Sequence, residues 1–70
     1  MNRFKPNIDR TLAKLAMDIH ISQNLSKEES LRLVLKSDIT RLLYDFETGL
    51  CYEMYETVYD MLKEELQIES

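Results

Sequence analysis

The chain holds one proline, Pro6, and one glycine, Gly49, in seventy residues. Proline breaks a helix by removing a backbone donor, and glycine by relaxing the backbone, so a stretch without either has few places to stop. Residues 7 to 48 contain neither. Helix is therefore the default, and apolar spacing decides where each helix lies. Ile8, Leu12, Leu15, Ala16 and Ile19 recur as an amphipathic helix requires. They fill an arc of about 100°, with Arg10 and Lys14 roughly opposite. The spacing predicts a first helix over 7–21, with Pro6 tolerated at its start.

The stretch ISQNLSKEES interrupts this pattern. Ser26 followed by Glu29 is a capping box, which starts a second helix over 27–36. That helix is expected to bury Leu31, Val34 and Leu35, with Arg32 and Lys36 paired on its outside. Ser37-Asp38 reads as another N-cap, opening a short third helix over 38–45 through Ile39, Leu42 and Leu43. The alternative is that helix two runs on without a break. Thr48-Gly49 marks the strongest turn in the second half, and a last helix follows over 50–66. The class is all-α: one domain, 1–70, forming a small bundle of three to four helices.

A chain of this length buries only about 60% of its unfolded surface, so its core needs support. The single cysteine, Cys51, cannot close an internal disulfide. With His20 as the one histidine, four zinc ligands of the usual kind are lacking. Oligomerisation or efficient helix packing is left, and a homodimer is expected. The polar start MNRFKPNIDR is not followed by an apolar stretch of signal-peptide type, and no run approaches the ~18 apolar residues of a span. The expected location is cytoplasmic, with no membrane partner.

Net charge is −4, but it is unevenly spread. Residues 1–44 carry a net +3 and residues 45–70 a net −7. The halves should attract, within one chain or between chains. On the wheel of helix four, Glu53, Glu56, Asp60 and Glu64 form one stripe about 80° wide. Arg10, Lys14, Arg32 and Lys36 are its expected electrostatic partners. The apolar arc of that helix, from Leu50 to Leu66 and including Cys51 and Met61, spans about 200°, roughly twice what one packing layer needs. Tyr52, Tyr55 and Tyr59 edge this arc, and tyrosine and methionine are enriched at interfaces. Self-association is expected through Met54, Tyr55, Val58, Tyr59 and Leu62.

Catalytic chemistry is poorly represented. A Cys–His pair needs adjacency and an orienting third group, and nothing in the order of residues indicates it. Cys51 reads as a small buried hydrophobe, and His20 as a ligand of carbonyls at a helix end. Asp45, Glu47, Glu53 and Glu56 fall in a calcium-loop register, but Leu50 stands where the sharp turn needs glycine. A single glycine cannot build a phosphate cradle. No enzyme, cofactor or metal is expected. A DNA-binding or antitoxin-like regulator using the basic first half is the alternative function. Against it, the connection before Ser26 is long for a helix–turn–helix, and Glu28 and Glu29 would face phosphate.

The segment SDITRLLYDFETGL resembles a family of short uncharacterised bacterial helical proteins, in which a serine is followed by L-x-D-x-x-T-x-L. Ser37, Leu43, Asp45, Thr48 and Leu50 match it, while Ile39 and Thr40 stand where Thr and an aromatic are expected. The resemblance covers the last 45 or so residues, implies a small helical domain, and assigns no catalytic residue. Asp45 or Thr48 is expected to close the turn through bonds to backbone N–H groups. The function expected from these readings is a non-catalytic protein–protein interaction module.

Overall fold

The computed structural model describes residues 7–68, and Pro6 lies outside them. Among the described residues the fold is all-helical. Helix α1 runs Ile8–Gln23, α2 Lys27–Lys36, α3 Asp38–Tyr44 and α4 Tyr55–Leu66. Two single 3-10 turns, Phe46–Thr48 and Leu50–Tyr52, join α3 to α4. No helix among these residues is long and apolar enough to cross a membrane.

The boundaries of α1 and α2 and the start of α3 have local causes. Asn7 accepts the backbone N–H of Arg10 at 3.0 Å and so caps α1. Asn24 ends α1 in the left-handed region at φ 56°, a conformation its short polar side chain tolerates. Ser26 accepts from the N–H of Glu29 at 3.0 Å, and its hydroxyl lies 3.4 Å from that carboxylate. Ser37, extended at φ −75° and ψ 154°, closes α2 and caps α3 by accepting from the N–H of Thr40.

Helix α4 begins at Tyr55 rather than Leu50. Glu53 and Met54 are both extended, and Met54 at the N-cap makes no side-chain cap bond. Nothing polar announces this start, which is why periodicity carried the expected helix back through Leu50. Leu50, Cys51, Tyr52, Glu53 and Met54 accordingly leave the helix, and the apolar arc narrows from about 200° to about 160°, with Met61 exposed at its edge.

The core joins the four helices and the second 3-10 turn. Leu12, Leu15 and Ile19 from α1 meet Val34 from α2, Ile39 and Leu43 from α3, Leu50, and Val58 and Leu62 from α4. Burying side chains of this size stabilises the fold by roughly 1.5–3 kcal/mol each. The α2–α3 junction within this core is polar but satisfied. The Val34 carbonyl accepts from the Ser37 N–H and hydroxyl and from the Thr40 hydroxyl, the last at 2.5 Å. Among the described residues no buried side-chain nitrogen or oxygen lacks a partner.

Candidate interaction surface

The face of α4 expected to meet a partner is turned inward. Val58 and Leu62 are fully buried against α1 and α3. Tyr55 and Tyr59 are half-buried and stack with ring centroids 6.0 Å apart. Their polar tips reach α1, where Asp18 accepts the Tyr55 hydroxyl and Ser22 lies 3.5 Å from that of Tyr59. Lys14 sits over the Tyr55 ring at 4.4 Å, and Lys63 over the Tyr59 ring at 4.7 Å. Burial and the bond to Asp18 raise the Tyr55 pKa far above its ordinary value. Tyr55, Val58, Tyr59 and Leu62 therefore hold α4 to the rest of the chain. Met54 is exposed, but outside the helix.

Exposed apolar surface lies on α1 and α2. Leu31 and Leu35 point outward, 42% and 53% exposed, while Ser30 and Val34 take the buried positions of α2. The expectation that Leu31 and Leu35 are core residues is thus corrected. Ser30 can be buried because its hydroxyl donates to the Ser26 carbonyl at 2.9 Å. Leu31 forms a ridge between two shallow hollows. One, of about 200 Å³, is floored by the small Ala13 and Ala16 with Met17 and Lys27 at its sides. The other, of about 390 Å³, lies between Leu31 and Leu35 and is rimmed by Glu28, Arg32 and Lys36. Met17 and Ile21, one helical turn apart on α1, extend the exposed apolar strip.

The acidic half provides a second exposed surface. Asp45 accepts the N–H of Glu47 at 3.1 Å, and the Thr48 hydroxyl lies against the carbonyls of Leu42 and Asp45 while accepting from Leu50 N–H. Gly49 turns the chain at φ 75°. These bonds pin a knuckle whose Tyr44, Phe46, Tyr52 and Met54 are exposed. Leu43 and Leu50 anchor it in the core. Every residue of the serine-to-leucine motif therefore has a structural task.

The charges do not meet as expected within one chain. Among the described residues the ion pairs are Arg41–Asp38 and Lys63–Asp60, each between residues three apart. Arg10, Arg32 and Lys36 pair with no acid of the stripe, and Lys14 is placed over Tyr55. Glu53 lies outside α4, so the helical stripe consists of Glu56, Asp60 and Glu64.

His20 directs Nδ1 at the Leu25 carbonyl, which can only accept, so Nδ1 carries the proton of that bond. Cys51 is half-buried in the second 3-10 turn, packed against the core. No group of three or more His, Cys, Asp or Glu among the described residues is placed to hold a metal ion. Comparison with protein-family models, with curated proteins and with solved structures finds no match to this chain.

Proposed function

We propose that this protein is a small non-catalytic interaction module that docks a second copy of itself through the outer face of α1 and α2. The outward placement of Leu31 and Leu35, with a hollow on either side of Leu31, carries the reading. A contiguous apolar strip rimmed by charged groups is the usual form of a docking surface. The size of the chain supports the same reading, since so small a core gains from a partner. A second copy is the favoured occupant because Arg32 and Lys36 beside the strip form no ion pair among the described residues, and the same chain carries their complement in exposed acids such as Glu47 and Glu53.

Light scattering across protein concentration tests this. The wild type is expected to approach the mass of a dimer, and the Leu31→Asp, Leu35→Asp double variant to stay monomeric with its helicity intact. A double variant that dimerises like the wild type, or a wild type that is monomeric throughout, refutes the reading. Tyr55→Ala and Tyr59→Ala should instead lower thermal stability, because those rings sit between α4 and α1.

A further inference from the structure

We infer that the element covering the α1–α2 strip is the acidic knuckle of the second copy, residues 44–56, and that the contact is made twice around a two-fold axis. The inference rests on the self-docking reading above and names the surface that reading leaves open.

Three observations converge on it. The knuckle has exposed acids in Asp45, Glu47, Glu53 and Glu56, and no lysine or arginine lies between residues 42 and 62. The strip has exposed cations in Lys27, Arg32 and Lys36. Neither set is neutralised by the other within the chain. Charge complementarity of this kind steers encounter and fixes register.

The second observation is the match of apolar parts. Phe46 and Met54 are 59% and 68% exposed. Large apolar side chains entering hollows supply most of the affinity in such interfaces, and the strip offers two hollows beside Leu31. The third is preorganisation. Phe46 stands on a single 3-10 turn closed by Asp45, Thr48 and Gly49, so little ordering entropy remains to be lost on docking. Each chain owns one strip and one knuckle, so a reciprocal two-fold pairing satisfies both and closes at two copies.

A charge exchange tests the pairing. The strip variant carries Arg32→Glu and Lys36→Glu, and the knuckle variant Glu47→Lys and Glu53→Lys. All four side chains are exposed, and circular dichroism verifies that both variants remain helical. Light scattering should show each variant alone weakened in dimerisation by about tenfold or more, and an equimolar mixture restored to a dimer. At the substituted positions both reciprocal contacts of the mixture join opposite charges, whereas each variant alone joins like charges there. A mixture that stays monomeric, or a knuckle variant that dimerises like the wild type, overturns the inference. If Leu31→Asp with Leu35→Asp still abolishes the dimer in that case, docking through the strip stands and only the knuckle is wrong. If the leucine variant dimerises normally, both fall.

Discussion

The carboxylate of Glu65, near the end of α4, accepts the backbone N–H of Asp38, 27 residues earlier, at 2.7 Å. The same carboxylate accepts from Ile39 N–H at 3.1 Å. Both donors belong to the first turn of α3, whose N–H groups have no partner within the helix. A negative group placed there also meets the positive end of the helix dipole. Glu65 thus caps a helix from which it is distant in sequence, while Ser37 caps it locally.

Removing this tertiary cap should be costly for a residue so near the surface. Glu65→Ala is expected to destabilise the fold by about 1–2 kcal/mol, since charge-assisted hydrogen bonds to two backbone donors are lost. Urea denaturation at fixed protein concentration measures it. A loss like that of an ordinary exposed glutamate, below about 0.5 kcal/mol, would mean that water serves the α3 terminus equally well.

The Tyr55–Asp18 bond gives the fold an alkaline limit. Folding raises the Tyr55 pKa above its unfolded value of about 10, so the folded state holds this proton after the unfolded chain releases it. The contribution is complete below pH about 10 and is lost progressively as pH rises beyond it. Stability of the wild type should fall above that pH, and Tyr55→Phe should flatten the fall. At neutral pH the same substitution should cost about 0.5–1.5 kcal/mol for the bond to Asp18. Thermal melts of both proteins between pH 7 and 11.5 provide the comparison. Equal slopes above pH 10 would remove Tyr55 from the alkaline transition.

Gly49 isolates a purely conformational effect. A Cβ built there meets nothing within 4 Å, so alanine creates no clash, yet φ is 75°. The left-handed conformation costs an L-residue roughly 1–2 kcal/mol, partly offset by a stiffer unfolded chain. Gly49→Ala should therefore destabilise by about 1 kcal/mol in denaturant titrations. A stabilised variant would show that the knuckle adopts a different turn.

Much of the fold was legible because local chemistry sufficed. Ser26 and Ser37 announce α2 and α3 by capping, and the spacing of Leu12, Leu15 and Ile19 identifies the inner face of α1. The start of α4 was not legible, since Met54 caps nothing and only the extended backbone of Glu53 and Met54 separates the turn from the helix. The Glu65 clamp was equally hidden, because no local pattern links residue 65 to residue 38. The contact of Tyr55 and Tyr59 with α1 was hidden for a related reason. The tyrosines looked like a rim, but their partners Lys14, Asp18 and Ser22 form a line on α1 that only the tertiary arrangement reveals.

The orientation of α2 is where sequence and structure part most sharply, and it can be tested directly. Apolar residues at 31, 33, 34 and 35 give this ten-residue helix more than one acceptable inner face, so periodicity cannot choose between them. The structure turns Ser30 and Val34 inward. Ser30→Ala should then be nearly neutral, within about 0.5 kcal/mol. The Ser26 carbonyl keeps its bond from the Ser30 N–H at 3.0 Å, and alanine is the better helix former. Ser30→Leu should cost about 1–3 kcal/mol by overfilling the α1–α2 contact. Leu31→Ser, on the exposed ridge, should cost less than about 1 kcal/mol under conditions that keep the protein monomeric. The inward orientation of Leu31 expected from periodicity reverses the order, making Leu31→Ser the damaging change and Ser30→Leu the tolerated one. Denaturant titration of these three variants therefore decides which face α2 buries, and with it whether Leu31 and Leu35 are available to a second copy at all.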